Sequence, residues 1–363
     1  MPDDHRTPAR AIGARQNGVM TNLRVLVLGG SWFLGRAVAE EALGRGCAVT
    51  TFRRGLSGVD VTGAETIRGD RTVPADLDRL AASGPWDLVV DTAGFVPRES
   101  GTVARALEPV VGRFVFVSSV SAYAGWPVEP LTEASEVLEC PPDAGADYGC
   151  DGDPGPSVYG FTKAGCERAV LAAFGPARTT VLRPGVILGP REYVGRLPWW
   201  LRRIERGGRV LAPGQPTRSI QPVDVRDVAR FTLSGPAGVF NLTGPGSTME
   251  EFLDICREVT SAGPMSLEWV TDEPWLVAQG VSQWTELPLW RAYRGAWKVS
   301  SAAAIAAGFV QRGLRSTVAD TWAWMNSGDA PVQHERSAAH GISAAKESAI
   351  LGTWDARELD HCG

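Results

Sequence analysis

An apolar run that leads directly into a glycine turn constrains the fold of this chain most. Residues 24–28 read RVLVL, and residues 29–35 read GGSWFLG. A continuous apolar run of this length is typical of a strand buried on both faces of a parallel sheet. The Ala-rich stretch that continues to Arg45 predicts a helix. A strand, a glycine turn and a helix in this order predict the start of a βαβ unit.

Five further apolar runs repeat this pattern along the chain. Predicted helices lie between most of them, which favours a parallel sheet with helices on both faces. We therefore predict an α/β fold with a Rossmann-type doubly wound sheet. The runs are CAVTTF at 47–52, AETIR at 64–68, DLVVD at 87–91, RFVFVSS at 113–119 and TTVLRPG at 179–185.

Charge and composition exclude several kinds of partner. The formal net charge is -5, whereas nucleic-acid binding needs clustered Lys and Arg, so we expect a small-molecule substrate and no nucleic acid. There is no apolar run long enough to span a membrane, and residues 1–20 lack the apolar centre of a secretory signal. The six cysteines show no Cys-x-x-Cys spacing. These features predict a cytoplasmic protein with no membrane partner and no metal.

The histidines lie in the segments that we predict to be terminal tails, which are His5, His334, His340 and His361. A Ser-His-Asp hydrolase, a Cys-His protease or a His-ligated metal centre needs an imidazole in the body of the fold. Their placement therefore argues against all three kinds of site.

The glycine turn has the context that a dinucleotide fingerprint requires. Gly29 allows the tight turn, Gly30 lets the backbone approach a pyrophosphate, and Gly35 lets the helix pack against the strand. A turn that merely joins strand to helix is the alternative. The residues assigned to phosphate binding are Gly29, Gly30, Ser31, Trp32, Phe33, Leu34 and Gly35.

The type of cofactor follows from the end of the second strand. NAD-binding proteins usually hold the ribose 2′-hydroxyl there with an acidic residue, but this chain has Arg53 and Arg54. Arginine favours a 2′-phosphate, so we expect NADPH or NADP, with NAD as the alternative if the two arginines are merely solvated. The ends of later strands supply the remaining cofactor residues, with Asp70 placed for the adenine amino group. They are Asp70, Arg71, Thr92, Ala93, Gly94, Val117 and Ser118.

The pair Tyr159 and Lys163 is the strongest catalytic signal. The two residues are four positions apart in a predicted helix and therefore share one face. With five tyrosines and three lysines in the whole chain, this spacing seldom arises by chance. A tyrosine, whose ordinary pKa is about 10, needs a neighbouring cation to act near neutral pH, and Lys163 can be that cation.

Composition divides the chain into four parts. After Gly189, tryptophans appear among prolines and glycines, which favours an aromatic-walled pocket, although core packing is the alternative for each ring. The Pro- and Gly-rich stretch 124–156 predicts a long surface loop. The parts are a disordered extension over 1–21, a dinucleotide-binding Rossmann domain over 22–189 and 216–245, a smaller C-terminal substrate-binding lobe over 190–215 and 246–330, and a flexible polar tail over 331–363.

Six segments together resemble the NAD-dependent epimerase/dehydratase family of extended short-chain dehydrogenase/reductases, in particular its bacterial members with a GGxxFLG turn. They are LGGSWFLG, VVDTAGFVPRES, FVFVSSVSAY, YGFTK, VLRPGVILGP and QPVDVRDVA. The resemblance, over about residues 22–325, implies a Ser-Tyr-Lys catalytic set. Its serine is Ser119, four residues before Tyr123, with Ser121 as the alternative. It also implies a homodimer built on the Tyr-bearing helix.

The same resemblance places Pro184, Gly185, Val186 and Ile187 beside the nicotinamide carboxamide. The chain departs from the family's usual motifs in three places that bear on its function. Trp32 replaces a glycine of the usual turn. Ser119-Val120-Ser121 replaces the Thr-Asp-Glu of nucleotide-sugar dehydratases, which argues against dehydration. Arg218 lies about two residues from the position that grips a nucleoside diphosphate in epimerases.

The expected function is therefore oxidoreduction of a ketone or alcohol on a small metabolite, with hydride transfer at nicotinamide C4. An epimerase that oxidises its substrate transiently is the alternative. A non-catalytic dinucleotide sensor or an RNA-associated protein is the third interpretation.

Overall fold

The computed structural model describes residues 22–261, 263–293, 295–329 and 334–362, so the extension predicted over 1–21 lies outside the described residues. The strands are β1 Arg24–Leu28, β2 Ala48–Arg53, β3 Glu65–Arg68, β4 Trp86–Asp91, β5 Val111–Val117, β6 Thr179–Pro184, β7 Ile187–Leu188, β8 Gly208–Pro213, β9 Ser219–Ile220, β10 Val223–Asp224, β11 Gly238–Leu242, β12 Ser247–Thr248 and β13 Met265–Val270.

The helices follow in the same chain order. They are α1 Phe33–Gly44, α2 Pro74–Ala82, α3 Pro97–Leu107, α4 Val158–Phe174, α5 Arg196–Glu205, α6 Val225–Ser234, α7 Met249–Thr260, α8 Glu273–Ala278, α9 Ala302–Ala306, α10 Leu314–Met325, α11 Glu335–Ala338 and α12 Ala344–Cys362.

Seven parallel strands form the central sheet in the order β11-β6-β5-β4-β1-β2-β3. The Rossmann-type fold predicted from the apolar runs is confirmed. Residues of β1 alternate between the two faces, because successive side chains of a strand point to opposite sides. Val25 and Val27 pack with α1 and α6, whereas Leu26 and Leu28 pack with α2, α3 and α4. The strand order reverses between β1 and β4, which opens a crevice at their carboxyl ends.

A second core lies in the lobe, where β8 pairs with β13 and the helices α5, α7 and α10 pack beside them. Trp200 and Trp290 are fully buried in this core, so core packing is the role of these two rings. No helix of the described residues is long and apolar enough to cross a membrane.

The prediction of a flexible tail over residues 331–363 is wrong for its larger part, because α12 packs on the lobe. Ile350, Leu351 and Trp354 are buried in the lobe core, and burial of each such side chain contributes about 2 kcal/mol. Glu347 pairs with the buried Arg203 at 2.8 Å. The helical spacing of the three apolar residues is the signal that identifies this helix in the sequence.

Part of the long loop covers α4 from outside. A Cβ on Gly165 would lie 2.6 Å from Cys140 Sγ, so the loop fits this closely only against glycine. Arg168 donates hydrogen bonds to the carbonyls of Cys140 and Leu138 at 3.3 and 3.4 Å. As a result, only Tyr159, Arg168 and Ala172 of the 17 residues of α4 are exposed.

Candidate active site

A cleft of about 920 Å³ opens at the carboxyl ends of the central strands, where ligands of doubly wound sheets bind. Most of the predicted site residues line it, namely Gly29, Gly30, Ser31, Trp32, Phe33, Leu34, Gly35, Arg54, Thr92, Ala93, Val117, Ser118, Ser119, Tyr159, Lys163, Pro184, Gly185, Val186 and Ile187. Four other predicted residues are not among the residues that line it, namely Arg53, Asp70, Arg71 and Gly94.

The glycine turn brings the start of α1 to the cleft. Gly29 and Gly30 have φ angles of 105° and 93°, which glycine adopts without steric cost. A Cβ on Gly35 would lie 2.7 Å from the amide nitrogen of Gly30, so α1 packs against the turn only because residue 35 is glycine. Trp32 is the N-cap residue of α1, and its side chain makes no capping hydrogen bond. The first amides of α1 are thus available to an anion.

The Trp32 ring forms a wall beside this turn. Its centroid lies 5.2 Å from that of Tyr193, and its Nε1 is buried without a hydrogen-bond partner in the described part of the chain. The indole edge packs against the loop after β2, because a Cβ on Gly58 would lie 3.1 Å from Trp32 Nε1.

Lys163 is held beneath the cleft floor by two backbone carbonyls. Its Nζ donates to Gly94 at 2.8 Å and to Val117 at 2.9 Å, and its side chain is buried. Burial disfavours the charged amine and lowers the pKa of Lys163 to about 8. Lys163 is therefore a cation near neutral pH, with a third hydrogen that the two carbonyls do not use.

Tyr159 lies one turn before Lys163 in α4 and reaches into the cleft. Its ring centroid is 5.8 Å from Lys163 Nζ, and 42% of the residue is exposed. Ser157 caps α4 by accepting a hydrogen bond from the Gly160 amide at 3.2 Å, which fixes where the helix begins. The position of Tyr159 in the first turn follows from this cap.

The strand-end serines have different partners. Ser118 donates a hydrogen bond to Glu167, which is itself held by Arg183 with an Nε–Oε1 distance of 2.9 Å. Ser119 Oγ accepts a hydrogen bond from the Ser121 amide at 3.1 Å, so its hydroxyl hydrogen can still be donated to a substrate. Ser121 also lines the cleft. Capping and a catalytic role are therefore compatible at Ser119.

The model of the NAD dependent epimerase/dehydratase family matches residues 25–234, which is more than half of the chain. This chain belongs to that family. Its matched region contains the glycine turn, the strand-end serines and the pair on α4, so the resemblance inferred from the sequence motifs is confirmed.

Two known proteins are similar to parts of this family member. A 2-alkyl-3-oxoalkanoate reductase of Stenotrophomonas maltophilia is 30% identical over 224 residues, or 57% of this chain and 63% of the relative. The chloroplast stem-loop binding protein of 41 kDa b of Arabidopsis thaliana is 24% identical over 256 residues, or 64% of this chain and 61% of the relative. The similarity thus spans less than two thirds of either relative's length.

The fold is also shared with solved structures. The Bordetella bronchiseptica enzyme WbmG, crystallised with NAD and UDP, superposes with a TM-score of 0.63 at 18% identity over 85% of this chain and 96% of its own. At this level of identity the comparison concerns the fold alone.

The family name implies an NAD-type dinucleotide, and the residues present fit such a group. Gly29 and Gly30 form the turn with positive φ angles, Gly35 lets α1 approach the Gly30 amide, and no side chain caps the start of α1. These features would suit a phosphate group at the start of α1.

The two arginines at the end of β2 have different environments. Arg53 is buried, and it donates to the carbonyls of Ser57 and Gly58 and pairs with Asp60. The prediction that Arg53 faces the cofactor is therefore wrong in this structure, because its charge is used to hold the following loop. Arg54 lines the cleft instead.

Asp70 and Arg71 are also engaged with neighbouring residues. Asp70 accepts hydrogen bonds from the amide and hydroxyl of Thr72 at 2.9 and 2.7 Å. Arg71 forms a two-point ion pair with the buried Asp91 at 3.1 and 2.8 Å. Arg71 is thus engaged by Asp91, whereas Asp70 also lies 4.0 Å from Arg54 of the cleft wall, and its role toward the adenine stays a prediction.

The lobe contributes an arginine that the sequence does not single out. Arg291 Cζ lies 4.6 Å from the ring centroid of Trp126 and 5.0 Å from that of Trp284. Its Nε and Nη1 are buried and have no hydrogen-bond partner among the described residues. Burial lowers the pKa of Arg291, which still leaves a cation on the cleft wall.

His334 corrects the expectation that the histidines lie away from the body of the fold. It lines the cleft, and its ring centroid lies 5.0 Å from that of Trp32 and 4.9 Å from that of Tyr193. The C-terminal segment carries it there over a long distance in sequence, so no local pattern indicates it. The cleft thus contains an imidazole as well as the tyrosine.

Proposed function

We propose that the protein is an NADP-dependent oxidoreductase that interconverts a ketone and a secondary alcohol. The main support for this proposal is the position of Tyr159 near the buried Lys163 ammonium, in a cleft that Ser119 also lines. This set donates a proton to a carbonyl oxygen and supports the charge that develops there.

A nicotinamide dinucleotide, when bound in this cleft, would supply the hydride for the carbonyl carbon. The Tyr159 hydroxyl gives its proton to the carbonyl oxygen, so the C=O bond becomes a C–OH group. Lys163 stabilises the resulting phenolate through its positive charge, and Ser119 donates a hydrogen bond to the same substrate oxygen. Because Tyr159 is 42% exposed, solvent can return a proton to the phenolate before the next turnover.

The preference for NADP is supported by Arg54 and Ser57, which line the cleft just beyond β2. An arginine at this place binds a 2′-phosphate through charge-assisted hydrogen bonds, which a ribose hydroxyl cannot match. Arg53 does not take part, because its guanidinium holds the loop 57–60.

The substrate class is supported by Arg291. The Arg291 guanidinium lies on the cleft wall, its Nε and Nη1 lack hydrogen-bond partners among the described residues, and an anionic ligand group beside it would offset the cost of burying this charge. The aromatic walls around it, Trp126, Trp284 and Trp297, suit an alkyl or aryl substituent. A 3-oxo carboxylate combines both properties, and the name of the Stenotrophomonas maltophilia relative describes such a substrate.

The epimerase interpretation is less well supported. Arg218, the candidate for gripping a nucleoside diphosphate, pairs with Glu273 and lines a separate pocket of about 260 Å³. The support for the RNA interpretation is the name of the Arabidopsis thaliana relative. A net charge of -5 gives little electrostatic attraction to a phosphate backbone.

The test is continuous NADPH consumption with 3-oxo carboxylates of increasing chain length, followed at the nicotinamide absorption band. We expect turnover that Tyr159→Phe reduces at least about a thousandfold, since general acid catalysis contributes up to about 10⁴, while dinucleotide affinity is retained. Conversion of substrate without any net change in NADPH would indicate an epimerase. Specific RNA binding without turnover would support the third interpretation.

A further inference from the structure

Phe95, in the loop that follows β4, lies beside both members of the pair on α4. Its ring centroid is 4.5 Å from Lys163 Nζ and 6.4 Å from the ring centroid of Tyr159. The residue lines the cleft and is 50% exposed, so it is not one of the buried core residues. Replacing its ring therefore changes the surroundings of the pair without opening the core of the fold.

Three aromatic rings surround the Lys163 ammonium, and we call Phe95, Phe116 and Tyr159 the aromatic cage. Their centroids lie 4.5, 5.1 and 5.8 Å from Nζ, respectively. The face of an aromatic ring carries partial negative charge and attracts a cation within about 6 Å. Because the rings come from a loop, from β5 and from α4, three separate parts of the chain meet at one amine.

Four titratable or charged groups on neighbouring elements also act on this amine, namely Cys166, Asp91, Arg71 and Glu167. Each of the two carboxylates is already paired with an arginine, at 2.8 Å for Asp91 and with an Nε–Oε1 distance of 2.9 Å for Glu167. Burial raises the pKa of the Cys166 thiol to about 11, which leaves it neutral near pH 7. The buried ammonium of Lys163 therefore depends on its two backbone carbonyls and on the aromatic cage.

We propose that Phe95 is a positioning residue for the proposed reduction, because its ring face stabilises the Lys163 ammonium beside Tyr159. The inference rests on the proposed function in the role that it gives to Tyr159. Burial alone acts in the opposite direction, since desolvation disfavours the charged amine. A leucine in place of Phe95 keeps an apolar side chain over the amine but removes the attraction of the ring, so Phe95→Leu separates the two effects.

The small number of lysines allows a direct test without substrate or cofactor. The whole chain contains Lys163, Lys298 and Lys346, so a full chain with ¹³C-labelled lysine gives three Cε signals, and Lys298→Arg and Lys346→Arg assign two of them. The titration of the third signal measures the pKa of Lys163. We expect Phe95→Leu to lower this pKa from about 8 by about 0.5, the amount expected for one cation–π contact.

Phe95→Tyr keeps the ring and should retain the original pKa of Lys163. The control is Tyr148→Leu, because Tyr148 is a 39% exposed aromatic residue whose ring lies 6.2 Å from that of Phe161, and it does not line the cleft. This variant should leave the pKa of Lys163 unchanged. In steady-state reduction by Phe95→Leu, the fall of kcat with rising pH should begin about 0.5 lower, in step with the amine.

An unchanged or raised pKa of Lys163 in Phe95→Leu would overturn the proposal, because the ring would then only exclude water. An equal fall in Phe95→Tyr would also overturn it. A higher KM with an unchanged pKa would show that Phe95 contacts the substrate instead. A lowered pKa in a protein that reduces no 3-oxo carboxylate would overturn the proposed function and leave the stabilisation of the ammonium in place. Thermal unfolding of each variant distinguishes a lost contact from a lost fold.

Discussion

The ammonium of Lys163 lies 2.8 Å from the carbonyl oxygen of Gly94, in the loop that follows β4. This contact joins the catalytic helix to the backbone that passes the cofactor cleft, and it places a positive charge below Tyr159. Since a second carbonyl, that of Val117, also accepts from Lys163, the amine cannot move without losing two hydrogen bonds. In the proposed reaction this side chain would couple the position of Tyr159 to that of the cofactor.

The first prediction concerns the pH dependence of reduction. The pKa of Lys163 is lowered to about 8 by burial, so the ammonium is present below that pH and is lost above it. We expect kcat for reduction to fall as pH rises through about 8, because the Tyr159 phenolate then loses its stabilising charge. A steady-state pH profile measures this. In a folded Lys163→Arg variant, kcat should not fall over this pH range. A rate that stays constant across this pKa in the unaltered enzyme would contradict the prediction.

The second prediction concerns cofactor choice. Arg54→Ala removes the arginine that lines the cleft beyond β2, so it should weaken NADP⁺ about tenfold, the amount expected for one charge-assisted hydrogen bond, with little effect on NAD⁺. Calorimetric titration of both dinucleotides measures the change. Arg257→Ala is the control, because Arg257 is an arginine on α7 that pairs with Asp254 and does not line the cleft. Equal losses for both dinucleotides would contradict the prediction.

The third prediction concerns the substrate anion. Arg291→Met should raise KM for a 3-oxo carboxylate about a hundredfold, in the range measured for buried charge pairs, while a ketone of the same size without the carboxylate is unaffected. The same variant should unfold at an equal or higher temperature, because it removes a buried charge that has no hydrogen-bond partner on Nε and Nη1 among the described residues. A parallel rise of KM for both substrates would contradict the anion role.

The glycine turn and the Tyr159–Lys163 pair could be predicted from the sequence because each depends on a few adjacent residues. Arg291 and His334 could not, since each meets a ring from a distant part of the chain, Trp126 and Trp32 respectively. The difference between Arg53 and Arg54 was likewise beyond the sequence. Neighbouring strand residues point to opposite sides, and the loop partners of Arg53 leave Arg54 as the arginine that lines the cleft.

The fourth prediction concerns the C-terminal helix. Glu347→Gln leaves the buried Arg203 without its carboxylate, which should lower the free energy of unfolding by about 3 kcal/mol. Chemical denaturation measures this change. Asp355→Asn is the control on the same helix, because the Arg209–Asp355 pair is exposed and its loss should have little effect on stability. Equal effects of the two substitutions would contradict a specific role for the buried pair.

The loop on α4 has a consequence for assembly. The family resemblance implies a dimer through the Tyr-bearing helix, yet Cys140 and the carbonyl of Leu138 already occupy the outer face of that helix. A second copy would have to displace this loop and uncover Gly165 before its own helix could approach. The loop therefore occupies the face that a neighbouring subunit would use, and we expect specific activity to remain constant on dilution.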